Sequence, residues 1–349
     1  MTAMAAARLA APMIKAVGMF SGGLDSLLAV KLIQAQGIEV DLLHYIIGFE
    51  NLHLLRLAQK KPAEASRADV ERQLGLTIQD IDVSREFLSV ALQPPHGYGA
   101  EMNPCIDCKI FLLQQAKAYM EEHGAQFIVT GEVVGQRPMS QQRPTMMHIE
   151  KMAGLQGYLL RPLSAKLLPP TIPEQHGWVD REGLLGISGR GRQAQLVLAA
   201  AYHLSYQQPA GGCLLNDPDY AKRLRDLLRA KPAAAVTGDD TTLLKLGRHL
   251  RLSATLKIII GRNEVDNHFL EQFLPGRWSV AVRDYPGPVV VIEGEPTPAD
   301  DELIAQLVVS YTKARHAARA IVDFRRGDEQ RTVSIVPEIN LPRDQWRIG

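Results

Sequence analysis

Ser21-Gly22-Gly23-Leu24-Asp25-Ser26, entered from the apolar run Ala16-Val17-Gly18-Met19-Phe20, decides how the rest of the chain is read. A short strand runs into a Ser-Gly-Gly turn, and an Asp-Ser pair then opens an amphipathic helix over Leu27 to Gln36. The two glycines let the main chain approach a ligand with no side chain in between. Backbone N–H groups at such a turn, with the hydroxyls of Ser21 and Ser26, make a nest for a phosphate group at the start of a helix. The spacing is neither that of the Gly-x-x-x-x-Gly-Lys-Ser/Thr loop nor that of the Gly-x-Gly-x-x-Gly dinucleotide turn.

At 349 residues the chain exceeds the usual size of a single core, so two domains are expected. Lys and Arg total 39 against 38 Asp and Glu, a formal net charge of +1, which argues against a uniformly basic coat but leaves room for a local basic face. No run approaches the roughly 18 apolar residues of a membrane span, so no membrane partner is expected. The Ala-rich start over 1–12 lacks a long apolar core and a cleavage site and reads as a flexible tail. Three cysteines are too few for a disulfide scaffold, and the odd number points to a reducing, cytoplasmic setting and a chemical job.

From the opening strand onward, strand-like and helix-like segments alternate, which predicts an α/β fold with a parallel sheet and helices on both faces. Glu39 to Tyr45 and Leu76 to Asp82 read as strands, Pro62 to Leu74 as a helix, and Gln93 to Asn103 as a loop. Cys105 to His123 has helical periodicity, with Gly124 where a C-cap belongs. Phe127-Ile128-Val129-Thr130 is a short buried strand ending at Gly131-Glu132. Ligands of open parallel sheets sit at the carboxyl ends of strands, so Phe20-Ser21 and Thr130-Gly131 are expected to share a crevice. His96, His148 and His176 have no partner visible in the sequence and read as non-catalytic. Lys231-Pro232-Ala233-Ala234-Ala235 marks a boundary between a domain over 13–230 and a smaller α+β domain over 236–349. In that second domain Leu256 to Ile260, Trp278 to Val282, Val289 to Glu293 and Thr332 to Val336 read as strands, Asn263 caps a helix, and Thr297-Pro298-Ala299-Asp300 opens another that carries Lys313, Arg315, His316 and Arg319 towards its end. The helix over Asp219 to Arg229 bears four basic residues, a surface for an RNA backbone or simply a solvated face.

Cys105-Ile106-Asp107-Cys108 at the start of a helix places two thiols near its positive end, which predicts lowered thiol pKa values. The pair reads as a redox dithiol, half of a zinc site or part of an iron–sulfur site. The third cysteine, Cys213, follows the Gly211-Gly212 turn; neither a second Cys-x-x-Cys nor a His-x₃₋₅-His pair accompanies it, which weakens structural zinc.

The Ser21–Ser26 loop resembles that of the PP-loop ATP pyrophosphatases (adenine nucleotide alpha hydrolase-like). Pro104-Cys105-x-x-Cys108-Lys109, Phe127 to Gln136, Met139-Ser140-Gln141 and Leu160-Arg161-Pro162-Leu163 then follow in an order and spacing similar to the tRNA 4-thiouridine synthetases and related tRNA thiolases. The resemblance implies a PP-loop fold that uses ATP and Mg²⁺ to adenylate a uridine carbonyl of tRNA before sulfur displaces AMP. It implies Ser21, Gly22, Gly23, Asp25, Ser26 and Gly131 as the ATP site, with Asp25 also a catalytic or metal-positioning carboxylate. It further implies Cys105, Cys108 and Cys213 as sulfur-handling residues, either by persulfide or through a three-cysteine [4Fe–4S] cluster, with hydrosulfide or a cysteine desulfurase as donor. The N-terminal RNA-binding modules and rhodanese-type domain of some relatives are not recognisable, which favours the cluster, and 4-thiouridine is the expected product. Lys166 and the arginines Arg190 and Arg192 are further phosphate candidates.

Ile259-Ile260-Gly261-Arg262-Asn263-x-x-x-Asn267 with Asp284-Tyr285-Pro286-Gly287 resembles the NFACT RNA-binding domain, which implies Arg262, Asn263 and Asn267 on the RNA side; the histidine usual before the Pro-Gly turn stands here as Ala281. Two other functions fit parts of the pattern: a sulfur-inserting enzyme acting on a small molecule, which the C-terminal domain disfavours, and a non-catalytic RNA-binding quality-control factor, which the intact phosphate loop disfavours.

Overall fold

The computed structural model describes residues 14–50, 67–206, 212–338 and 340–349. The tail over 1–12, the Pro62–Ser66 start of the second expected helix and the Pro209–Gly211 turn lie outside the described residues. The chain divides into two compact units, one drawn from 1–47, 61–99 and 103–212 and the other from 48–60, 100–102 and 213–349.

In the first unit the elements run β1 (Lys15–Met19), α1 (Leu24–Gln34), β2 (Glu39–Ile46), α2 (Arg67–Leu74), β3 (Ile78–Asp82), α3 (Ser84–Leu92), α4 (Cys105–Glu122), β4 (Phe127–Thr130), α5 (Arg143–Met152), β5 (Leu159–Leu160), α6 (Ile172–Gln175) and α7 (Gln193–Ala201). Strands pair in the order β3-β2-β1-β4-β5, all parallel. Alternate strand residues enter opposite cores. Ala16, Leu42, Val129 and Leu160 pack with α1 and α7, whereas Val17, Leu43, Ile128 and Leu159 pack with α4 and α5. That two-sided burial is why the strands read as continuous apolar runs, and the α/β fold expected from the sequence is the one observed. The strand order reverses between β1 and β4, the place where doubly wound sheets open a crevice for ligands.

The second unit holds α8 (Pro218–Ala230), α9 (Gly238–Leu243), β6 (Arg248–Arg251), β7 (Lys257–Ile260), α10 (Glu264–Glu271), β8 (Ser279–Val282), β9 (Val290–Glu293), α11 (Pro298–Val309), β10 (Ala320–Arg326), β11 (Glu329–Ile335) and β12 (Arg347–Ile348). Its strands form an antiparallel sheet in the order β11-β10-β8-β9-β7-β6-β12. One core faces α11 and a smaller one faces α9 and α10. Capping set the helix starts as expected. The Asn263 side chain accepts from the Asp266 N–H at 2.9 Å, and Thr297 and Asp300 form a capping box with Pro298 at the first helical position.

Two sequence expectations differ from the structure here. The segment Cys213–Ala230 groups with the second unit, because Tyr220 Oη donates to Thr241 O at 3.0 Å, Arg223 to Leu244 O at 3.0 Å, and Asp226 pairs with Arg251 at 2.6 Å. Of the four basic residues of α8, Arg223 is engaged in this unit's interior, Arg225 meets Glu101 at 3.1 Å and Lys222 pairs with Asp219 at 3.2 Å, while Arg229 is exposed. Secondly, α11 stops at Val309. Thr312 caps a separate 3₁₀ turn over Lys313–His316, and Arg319 lies just before β10.

Candidate active site

Glycines at two points make the Ser21–Ser26 loop possible. Gly22 has φ +79° with open space where a Cβ would stand, and Gly23 is the extended N-cap of α1 with no side chain over the first-turn amides. Ser26 Oγ donates to Gly23 O at 2.8 Å, and the Ser21 N–H reaches Ser26 Oγ at 3.3 Å, so the two serines close the loop on itself. Ser26 is buried and Ser21 exposed. Asp25 Oδ2 accepts from Gln136 Nε2 at 3.0 Å, while its Oδ1 is buried with no hydrogen-bond partner. An orphaned carboxylate oxygen at the mouth of a phosphate nest suits a hard divalent cation that takes its remaining ligands from phosphate and water, so Mg²⁺ fits Asp25.

Gly131 is where the expected crevice closes up. Met19 of β1 pairs with Thr130 of β4, and a Cβ on Gly131 would lie 2.4 Å from both Asp25 C and Ser26 N. Only glycine lets the end of β4 rest on the loop. The next residue, Glu132, is buried in a charge cluster that sequence reasoning did not foresee. Lys109 Nζ lies 3.3 Å from its Oε1, Arg161 Nε 3.1 Å from its Oε2, and Arg161 also meets Glu150 at 2.6 Å. Burial pushes the Glu132 carboxyl up, but the Lys109 and Arg161 charges outweigh it and hold it below its ordinary value. An arginine ending the apolar pair Leu159-Leu160 was the available signal. The Gly186–Arg192 turn lies at the same end of the sheet, since Ser188 bridges to Val134, but Lys166 is paired with Glu182 at 3.2 Å.

Cys105 and Cys108 occupy the first turn of α4, both half-buried. The expectation of lowered thiol pKa fails for Cys105. Burial raises it more than Arg137, Lys109 and a hydrogen bond from Asn103 lower it. The segment over 94–99 delivers His96 to this turn. Its Nδ1 stands 2.7 Å from Asp107 Oδ1, and its Nε2 stands 2.9 Å from His148 Nε2. The sequence reading left both histidines without partners; they are partners of each other.

Cys213 belongs to the second unit, bridged to Glu50, with the Leu214 N–H donating to Phe49 O at 2.8 Å. Among the described residues no three His, Cys, Asp or Glu side chains are grouped to hold a metal ion. Cys105 and Cys108 lie in the first unit and Cys213 in the second. The second unit also employs its three RNA-side candidates internally. Arg262 is bidentate on Asp266 (2.6 and 3.2 Å), Asn263 caps α10, and Asn267 Oδ1 accepts from the Val289 N–H at 3.0 Å.

Comparison with known proteins matches each unit to a family. Residues 13–166 match the family model described as thiamine biosynthesis protein (ThiI), and residues 247–347 match the NFACT protein RNA binding domain. The chain joins a ThiI-type domain to an NFACT-type RNA-binding domain. The ThiI-type stretch carries the phosphate loop, both thiols of Cys105-x-x-Cys108 and Gly131, while the NFACT-type stretch carries Arg262, Asn263 and Asn267. A probable tRNA sulfurtransferase from Thermococcus kodakarensis is 29% identical over 125 residues, which is 35% of this chain and 30% of that protein's length. Among solved structures, the C-terminal part of the fibronectin/fibrinogen-binding protein of Streptococcus suis is 17% identical, covering 45% of this chain and 77% of its own, with a TM-score of 0.27. A predicted subunit of tRNA methyltransferase from Methanocaldococcus jannaschii is 16% identical, covering 54% and 74%, with a TM-score of 0.33. Among the described residues no helix is long and apolar enough to cross a membrane.

Proposed function

We propose that this chain is an ATP-dependent tRNA sulfurtransferase that replaces a uridine carbonyl oxygen with sulfur, 4-thiouridine being the expected product. The observation that carries the reading is the Asp25 carboxylate, whose Oδ1 is buried without a partner, in a glycine-built loop within the same ThiI-type unit as the Cys105/Cys108 dithiol. The amides at Gly22 and Gly23 and the Ser21 and Ser26 hydroxyls hold the triphosphate of ATP, and Asp25 orients it. A bound Mg²⁺ would offset the charge that builds on the leaving pyrophosphate. The uridine carbonyl oxygen attacks the α-phosphorus and pyrophosphate leaves, which turns a poor leaving group into AMP.

Sulfur arrives as a persulfide on one thiol of the Cys105/Cys108 pair, supplied by a cysteine desulfurase. Its terminal sulfur attacks the activated ring carbon and AMP departs with the oxygen. The second thiolate then breaks the S–S bond to the transferred sulfur, leaving thiouridine and a Cys105–Cys108 disulfide that an external dithiol must reduce. The NFACT-type unit holds the tRNA.

Mass spectrometry of tRNA nucleosides from cells with and without this protein tests the assignment; unchanged 4-thiouridine and 2-thiouridine would refute it. Anaerobic purification tests the sulfur route. Active protein free of iron supports the dithiol, and activity that tracks bound iron overturns it in favour of the cluster.

A further inference from the structure

The two sides of the second unit's sheet are not covered alike. Val280, Val282, Val322 and Phe324 pack on the α11 side, while Ile259 of β7 and Val291 of β9 pack on the other side with α9 and α10. Strands β8, β10 and β11 continue that other side, because Ser279 pairs with Val291, Ala281 with Asp323, and Asp323 with Thr332. There the apolar cover stops. Ala281, Arg325, Gln330, Thr332 and Ser334 stand on this half of the face, all exposed, and none of its side chains is aromatic.

Among the described residues of these strands, Asp323 is the one carboxylate on the open side, and it is already engaged. Arg283 holds it through Nε at 3.1 Å and Nη2 at 2.6 Å, and Thr332 Oγ1 donates to it at 2.7 Å. Arg319 donates to Ser334 Oγ at 3.1 Å. The Lys313–His316 turn lies at the same end of the strands: Thr312 comes within 3.1 Å of the Gly287 Cβ position, and the Arg283 N–H donates to Ile321 O at 2.8 Å. Lys313, Arg315, Arg319 and Arg325 are exposed, and among the described residues none of them is in an ion pair. Elsewhere in this unit Arg251, Arg262, Arg326 and Arg331 all meet carboxylates. Against the four free cations the adjoining turns place only Asp284 and Asp328, so the surplus is positive. We propose that the open face of β8, β10 and β11, edged by Lys313, Arg315 and Arg319, docks the phosphate backbone of double-helical RNA. Arginines and hydroxyls bond phosphate and ribose oxygens, and a face with no ring to stack on a splayed base suits a paired stem. This face takes the place of Arg262, Asn263 and Asn267, which are engaged internally, as the RNA side of the unit.

The inference rests on the reading that this unit holds tRNA. Fluorescence anisotropy of the full chain with a labelled RNA duplex of about 20 base pairs, read against salt, tests it. Arg319→Gln/Arg325→Gln is expected to bind about tenfold or more weakly near about 0.1 M salt, and to reduce the slope of log K against log salt by about 1.5–2, for two phosphate contacts. Arg319→Lys/Arg325→Lys keeps the charges and is expected to keep the slope. Both arginines are exposed and outside ion pairs, so equal melting curves are expected for all three proteins. A glutamine variant that binds the duplex like wild type overturns the proposal, as does a lysine variant as weak as the glutamine one, or an equal or larger loss from Lys222→Gln/Arg229→Gln on α8. A single strand that binds as tightly as the duplex overturns the double-helical assignment. Wild-type protein that binds tRNA, with the glutamine variant no weaker, refutes this face and leaves the tRNA reading standing. A variant that loses RNA, in a protein that leaves tRNA unmodified in cells, refutes the sulfurtransferase reading and not the face.

Discussion

Adding one methyl group at Gly131 puts the contact between β4 and the phosphate loop to a direct test. An alanine Cβ there would stand 2.4 Å from Asp25 C, 2.4 Å from Ser26 N and 2.6 Å from Asp25 O, all backbone atoms that no rotamer change can move away. Non-bonded carbon atoms rest at about 3.5–4.0 Å, so the strand end or the loop must move by roughly 1 Å. Forcing an extra carbon into a packed site costs about 1–3 kcal/mol, and in a domain of this size each kcal/mol lowers the melting temperature by about 2–4 °C. If the loop yields, the first-turn amides of α1 and the Asp25 carboxylate are displaced from their aim. Gly131→Ala is therefore expected to melt roughly 2–12 °C lower and to bind ATP at least about tenfold more weakly, a loss of about 1.4 kcal/mol. Gly191→Ala is the control, since nothing lies within 4 Å of its Cβ position and its φ is outside the left-handed region; it should be neutral or stabilising by up to about 1 kcal/mol. Differential scanning calorimetry and isothermal titration of ATP measure both effects. A Gly131→Ala protein that melts within 1 °C of wild type, roughly the noise of such a scan, and binds ATP unchanged would show that β4 does not brace the loop.

Arg161→Met should cost about 3–5 kcal/mol in urea unfolding, because it strands Glu150 and leaves buried Glu132 with Lys109 alone; a loss below about 1 kcal/mol would mean the cluster is not a charge network. In the second unit His249 is fully buried, with Nε2–H directed at Leu246 O at 2.8 Å, and burial first, then the Lys257 and Arg223 charges, depress its pKa well below the ordinary value. A histidine kept neutral by the fold contributes its full stability above the unfolded value of about 6.5 and loses it as pH falls, by up to about 1.4 kcal/mol per pH unit. Hydrogen exchange of the β6 and β7 amides between pH 7.5 and 5 should show that slope, and His249→Gln should abolish it; identical slopes would refute the assignment.

Much of the fold was legible along the chain because its signals are local. An apolar run into Ser-Gly-Gly, a proline or asparagine at a helix start and a glycine after a helix end each constrain a few neighbouring dihedrals. The strand over Phe127–Thr130 and the caps at Asn263 and Thr297 follow from such short-range rules. The site was less legible, because burial and distant charges have no local signature. The helix start predicts ionised thiols, yet burial raises the Cys105 pKa, and no reading of Cys-x-x-Cys alone contains that desolvation. His96, Asp107 and His148 are separated by 11 and 41 positions along the chain, and only the packing of the segment over 94–99 and α5 at the start of α4 brings them together. The sequence by itself determined the glycine-built Ser21–Ser26 turn, the parallel α/β order and, through its resemblance to the NFACT domain, the type of the second domain, since these are written in contiguous motifs and periodicity. Tertiary structure alone decided that Asp25 keeps an unpartnered oxygen, that Gly131 must lack a side chain, that Cys213 belongs to the second unit, and that Arg262 and Asn267 bond to residues of their own unit, Arg262 to Asp266 and Lys245 and Asn267 to Val289. Each of those outcomes depends on which residues from remote segments exclude water or supply a counter-charge, and that is fixed only when the chain has packed.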